Sequence, residues 1–200
     1  EKYNTWCMDI AVENSDIEMV KFLYKIVFLE KDSKYFDITY TKDYVINMII
    51  DNGNLELIKL LYKFEDIDID NIIQKLSENG NLEAIEFFYT DILKEETIKN
   101  CISWSAWYGY NDIVIFFCIK VKKFYNSQNI ICSSVQYAIY KNNLEIVKIL
   151  YSYISQDNIK IINQRFIDMA KTCRKPDIVN YFKLYDVLRR LPDSDKFIIL

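Results

Sequence analysis

One block of twelve residues recurs along this 200-residue chain, and it limits the fold more than any other feature. "ENSDIEMVKFLY" (Glu13–Tyr24), "DNGNLELIKLLY" (Asp51–Tyr62), "ENGNLEAIEFFY" (Glu78–Tyr89), "WYGYNDIVIFFC" (Trp107–Cys118) and "YKNNLEIVKILY" (Tyr140–Tyr151) align without a gap. "TCRKPDIVNYFK" (Thr172–Lys183) is a sixth, weaker copy. The seventh residue of each block serves as a marker: Met19, Leu57, Ala84, Ile113, Ile146 and Ile178, at spacings of 38, 27, 29, 33 and 32 residues. Periods of roughly 20–50 residues belong to stacked supersecondary units rather than to one conventional core.

Each copy reads as two short helices. Eleven residues before the marker stand Met8, Ile46, Ile73, Ile102, Val135 and Ile167; three residues later come Ala11, Ile49, Leu76, Ser105, Ala138 and Ala170. Spacing of i, i+3 places both on one helix face. The marker and the pair three and four residues on (Phe22/Leu23, Leu60/Leu61, Phe87/Phe88, Phe116/Phe117, Ile149/Leu150, Tyr181/Phe182) form the apolar stripe of a second helix. Neither helix can bury its face alone, so the copies must stack into one extended core.

The glycines define the joint between the helices. The chain has three, Gly53, Gly80 and Gly109, and all stand four residues before the marker, where the fifth copy has Asn142. A residue just past a helix end often takes a positive φ, which Gly reaches at least cost and Asn next. Asn54, Asn81 and Asn143 follow and suit the start of the second helix. On its outer face, Glu18/Lys21, Glu56/Lys59 and Glu145/Lys148 are spaced as i, i+3 ion pairs.

These residues resemble the ankyrin repeat, whose helix–turn–helix core reads roughly L-H-x-A-A-x-x-G-H-L-E-I-V-K-L-L. "INMIIDNGNLELIKLL" (Ile46–Leu61) and "VQYAIYKNNLEIVKIL" (Val135–Leu150) carry the likeness, which covers most of Met8–Lys183. It implies an all-α, ankyrin-type α-solenoid of about six helix-turn-helix repeats over residues 1–183. The T-P-L-H tetrad and the Gly-Ala-Asp turn are missing, so β-hairpin fingers are expected to be short or absent. Linkers such as "KFEDIDIDN" (Lys63–Asn71), "TDILKEET" (Thr90–Thr97) and the longer Lys25–Thr41 stand there instead. The heavy use of Asn, Ile, Lys and Tyr is similar to that of ankyrin proteins from large DNA viruses and some protists.

In that family the two residues five and six before the marker face the concave groove. Here they are Glu13/Asn14, Asp51/Asn52, Glu78/Asn79, Trp107/Tyr108, Tyr140/Lys141 and Thr172/Cys173. The resemblance therefore implies protein-binding residues at Asp51, Asn52, Glu78, Asn79, Trp107, Tyr108, Tyr140 and Lys141. Trp107, Tyr108 and Tyr140 would form an aromatic contact patch, since interfaces are enriched in Trp and Tyr. The competing reading has Trp107 filling a gap between neighbouring copies. Of the other aromatics nearby, Trp104 lies beside the core position Ser105, and Tyr110 sits at the joint.

Residues 184–200 read as a C-terminal cap or the start of a further segment. "LPDSDKFIIL" (Leu191–Leu200) resembles the opening of the F-box-like segment of poxviral ankyrin proteins, matching at Leu191, Pro192, Lys196, Ile199 and Leu200. That likeness implies a substrate receptor for a cullin-type ubiquitin ligase; the alternative is a capping helix begun at Pro192. A structural or assembly component of a larger particle is another reading of the solenoid. The start at Glu1 and the apolar ending "KFIIL" are expected of a processed chain or a fragment.

Composition removes other classes. There is no histidine, so triads, Cys–His dyads, Cys₂His₂ zinc sites and H-E-x-x-H helices are excluded. Five scattered cysteines, odd in number, read as buried or half-buried free thiols in a reducing compartment. No phosphate loop is possible with all three glycines at joints, and "EDIDID" (Glu65–Asp70) lacks the glycine and distal glutamate of a calcium loop. A net charge of −4 with 27% charged residues argues for a globular chain without a nucleic-acid face. No apolar run approaches the roughly 20 residues of a membrane span. The expectation is a non-enzymatic, cytoplasmic protein, in the host cytoplasm if viral. It would bind a protein and need no cofactor, metal, nucleic acid, membrane or small-molecule substrate.

Overall fold

A computed structural model describes residues 7–29, 41–63, 68–89, 93–122 and 126–190, with Leu29 and Arg190 in their backbone alone. All regular structure among these residues is helical, and they contain no strand. Leu191–Leu200, with the expected cap or F-box-like segment, lies outside the described residues.

The chain divides into two compact units, Glu1–Leu93 and Lys94–Leu200, each holding three copies of the block. The first unit contains α1 (Cys7–Glu13) and α2 (Ile17–Tyr24), α3 (Lys42–Asn52) and α4 (Leu55–Leu60), and α5 (Ile69–Asn79) and α6 (Leu82–Phe88). A π-helical turn, Lys25–Leu29, extends α2, and a 3₁₀ turn, Leu61–Lys63, extends α4. The second unit contains α7 (Glu95–Tyr108) and α8 (Asn111–Val121), α9 (Ser127–Tyr140) and α10 (Leu144–Ser152), and α11 (Gln156–Thr172) and α12 (Pro176–Arg190). Helix α12 runs through Lys183 without a break.

Within each unit the helices pack in two layers. In the first, α3 packs between α1 and α5, and α4 between α2 and α6; in the second, α9 packs between α7 and α11, and α10 between α8 and α12. Every residue eleven or eight before a marker is buried, from Met8 and Ala11 to Ile167 and Ala170. The second-helix stripe differs from the expectation. The residue after the marker (Val20, Ile58, Ile85, Val114, Val147, Val179) is buried in all six copies, as is the second of each pair, whereas Phe22 and Phe87 are exposed. The reason is angular. At about 100° per residue, positions 0, +1 and +4 fall within one arc, and +3 falls at its flank. Met19 is also exposed, in the copy with a described neighbour on one side only.

The joint is the most uniform feature. The six residues four before the marker are Ser15 (φ 53°), Gly53 (74°), Gly80 (78°), Gly109 (94°), Asn142 (60°) and Arg174 (56°), and they are all the positive-φ residues described. In five copies the next backbone N–H donates to the carbonyl five residues back: Asp16 to Ala11, Asn81 to Leu76, Tyr110 to Ser105, Asn143 to Ala138 and Lys175 to Ala170, at 2.8–3.0 Å. That is a Schellman closure of the first helix. In the second copy Asn54 donates instead to the side chain of Asn52. The second helix then starts on a side-chain cap: Asp16 accepts from Met19, Asn54 from Glu56 and Leu57, Asn81 from Ala84 and Asn143 from Ile146. Pro176 takes the first helical position in the sixth copy, where its missing N–H costs nothing. The outer pairs Lys59–Glu56 and Lys148–Glu145 close at 2.8 Å, and Lys21 pairs with Glu18.

Candidate functional site

The positions six and five before the marker end the first helix of each copy, where the backbone turns into the joint. Their side chains therefore reach the surface in every copy. In the first unit this row carries carboxylates and amides. Glu13, Asn14, Asp51, Asn52 and Asn79 are exposed and Glu78 is half-buried. Part of the row ties neighbouring copies together. The Asn52 amide donates to the Val12 carbonyl at 2.8 Å, and the Asn79 amide donates to the Asp51 carboxylate at 2.7 Å. Asn52 thus adds a second donor to the Val12 carbonyl, which also accepts from the Ser15 backbone N–H at the end of α1.

In the second unit the row is aromatic in its first two copies, and the third holds Thr172 and Cys173. Tyr108 is 52% and Tyr140 54% exposed, and Trp107 is half-buried. The Lys141 ammonium, from the next copy, stands 3.9 Å from the Trp107 ring centroid. The Tyr137 ring meets Trp107 edge-on at 6.3 Å. Trp107 therefore joins two copies and still reaches solvent. Sequence reasoning missed two members of this surface. Trp104 and Tyr137, both nine residues before a marker, are 38% and 40% exposed. Trp104 stacks on Tyr108, and Tyr108 on Tyr110, each pair with centroids 6.2 Å apart. The signal was present: positions nine, six and five before the marker are related as i, i+3 and i+4 and so share a face.

Chemically this surface offers ring faces, hydroxyls and one ammonium. It holds no carboxylate pair and no activated nucleophile. All five cysteines are free thiols, with Cys101 and Cys118 buried, Cys132 and Cys173 half-buried, and Cys7 exposed, which corrects the expectation for Cys7. Burial pushes the Cys118 thiol up to about 12, and burial also raises Cys132, so neither is poised as a thiolate. Among the described residues no group of three His, Cys, Asp or Glu could hold a metal ion. Asp68, within the acidic run, instead caps α5 by accepting from the Asn71 backbone N–H. A cavity of about 580 Å³ lies elsewhere, lined by Gln156, Lys160, Tyr185, Leu188 and Arg189. Its two cations are already paired, Lys160 with Asp157 and Arg189 with Asp186. No described helix is long and apolar enough to cross a membrane.

No protein-family model matches the chain, and no curated protein or solved structure matches it at a significant level.

Proposed function

We propose that this chain is a divergent ankyrin-type array that binds another protein, without catalysis and without a cofactor, through the ends of its first helices. One observation carries the reading. In the second unit, Trp104, Trp107, Tyr108, Tyr137 and Tyr140 present rings at matching registers of neighbouring copies. Rigid aromatics bury much area on binding at low entropic cost, which is why they dominate contact energies. The amide and carboxylate row of the first unit (Asp51, Asn52, Glu78, Asn79) would add polar contacts of its own. Five free thiols fit work inside a cell, where reductants keep them so. The resemblance to ankyrin proteins of large DNA viruses and protists supports the same reading.

The test is affinity capture with the wild type beside a Trp107→Ala/Tyr108→Ala/Tyr140→Ala variant whose helicity and melting are measured in parallel. The reading expects a partner held by the wild type and lost by a folded variant. Equal retention by both would reject it. A second reading, a permanent subunit of a larger particle, is favoured by apolar side chains exposed on the second helices. These are Met19, Phe22 and Phe87 in the first unit and Ile115 and Ile119 in the second. It expects capture to fail on Ile115→Glu/Ile119→Glu and to survive loss of the aromatic row.

A further inference from the structure

The whole-chain charge of −4 conceals a division. Residues 1–93 hold 19 Asp and Glu against 9 Lys and Arg, net −10; residues 94–200 hold 10 against 16, net +6. The division is sharpest along the row and the joint that follows it. In the first unit, the positions six to three before the marker hold Glu13, Asp16, Asp51 and Glu78 and no cation. In the second unit they hold Lys141, Arg174 and Lys175 and no carboxylate. The carboxylates nearest in register there are Asp112, Glu145 and Asp177, one residue before the marker, and Glu145 is bound by Lys148.

These three cations are uncompensated. Five other basic residues of the second unit pair with a carboxylate one turn away: Lys99, Lys148, Lys160, Lys171 and Arg189. Lys141, Arg174 and Lys175 have no ion pair among the described residues. Lys141 and Arg174 are exposed, and α11, which leads into Arg174 and Lys175, packs on α9, which ends at Tyr140.

From this we infer that the aromatic row of the second unit takes an acidic protein segment, with carboxylates set among aromatic or apolar side chains. The inference rests on the reading of the row as a contact face and names its partner's chemistry. Two rivals are weaker on physical grounds. Ring faces also attract cations, by about 0.5–1 kcal/mol at exposed sites. Here, however, the Trp107 face already holds Lys141, and three unpaired positive charges repel a cationic guest. A single-stranded nucleic acid would stack on the rings, yet its continuous phosphate charge needs a long cationic track. The row and its joints supply three cations on a chain whose other unit stands at net −10.

The test titrates the full chain, by tryptophan fluorescence, with three probes: a random glutamate–tyrosine copolymer, a lysine–tyrosine copolymer and a single-stranded oligothymidine. The expected result is binding of the glutamate–tyrosine copolymer, weakening as salt is added. A Lys141→Glu/Arg174→Glu/Lys175→Glu variant should bind it at least ~10-fold more weakly, since reversing a charge replaces attraction by repulsion. A milder Lys141→Gln/Arg174→Gln variant should fall between the two, and both should stay folded, with melting lowered by no more than the loss of the Lys141–Trp107 contact. Tighter binding of either other probe overturns the inference, as does equal binding by wild type and charge-reversed chain. Self-association seen in sedimentation and abolished by the charge reversal also overturns it, since the occupant is then a second copy. If the charge-reversed chain keeps the captured partner and the Trp107/Tyr108/Tyr140 alanine variant loses it, the acidic partner falls and the contact face stands.

Discussion

Two glycines at the same register predict two different costs for the same substitution. Gly53 sits at φ 74° and an added Cβ would meet nothing within 4 Å. Gly109 sits at φ 94°, and its Cβ would lie 3.3 Å from the Asn143 amide nitrogen of the next copy. The left-handed region open to other residues spans about +50 to +70°, so Gly53 is near its edge and Gly109 well beyond it. Placing a side chain there costs roughly 1–2 kcal/mol. Gly53→Ala should therefore cost about 1 kcal/mol. Gly109→Ala adds a displaced Asn143, whose side-chain oxygen caps α10 by accepting from Ile146 at 3.1 Å. Losing such a cap costs about 1 kcal/mol, which brings the total to about 2–3. Urea unfolding of the full chain measures both, followed by far-UV circular dichroism and by fluorescence of Trp104 and Trp107. The reasoning is refuted if Gly53→Ala costs as much as Gly109→Ala, or if Gly109→Ala costs under about 0.5 kcal/mol, the ordinary scatter of surface changes.

Other expectations follow from single contacts. Tyr151, fully buried among Phe166, Tyr181, Phe182 and Tyr185, donates its hydroxyl to the Asn163 side-chain oxygen. Tyr151→Phe leaves that oxygen buried without its donor, and denaturation should show a loss of about 1–3 kcal/mol. Trp107 and Lys141 should be coupled by about 0.5–1 kcal/mol in a double-mutant cycle of stability, and a coupling of zero would deny the cation–π contact. Alkali should weaken the fold. Burial holds Cys118 protonated up to about 12, while the unfolded thiol ionises near its ordinary 9.0. The unfolded state then binds fewer protons than the native one, so stability falls as pH rises from 9 toward 12. A Cys118→Ala chain should show a shallower fall in the same titration.

The joint was the most legible part of the fold, because glycine reports a backbone angle directly: Gly53, Gly80 and Gly109 marked the register, and Asn142 extended it. Ser15 and Arg174 take the same positive φ with side chains that carry no such signal. Only alignment with the other copies gives them away. Burial on the second helix was half legible. The apolar letters at +3 and +4 look alike, yet one lies inside the buried arc and the other at its flank, as Phe87 and Phe88 show. For the candidate site, the pair of positions taken from the resemblance singled out Trp107, Tyr108 and Tyr140, of which the two tyrosines are exposed and Trp107 is half-buried. It missed Trp104 and Tyr137, which share the same helix face three and four residues earlier. The charge division was hidden for a different reason. A single net charge averages over both units, and the repeat runs through the boundary at Leu93 and Lys94 without a break in pattern.

Acrylamide quenching of tryptophan fluorescence, in the free chain and with the captured partner bound, tests the central claim most directly. Both described tryptophans, Trp104 and Trp107, stand on the aromatic row, and a Trp6→Phe background removes the third in the sequence. Binding to this row predicts a clear drop in quenching when the partner is bound. Unchanged quenching in a complex shown to be intact would place the partner on another surface and contradict the account.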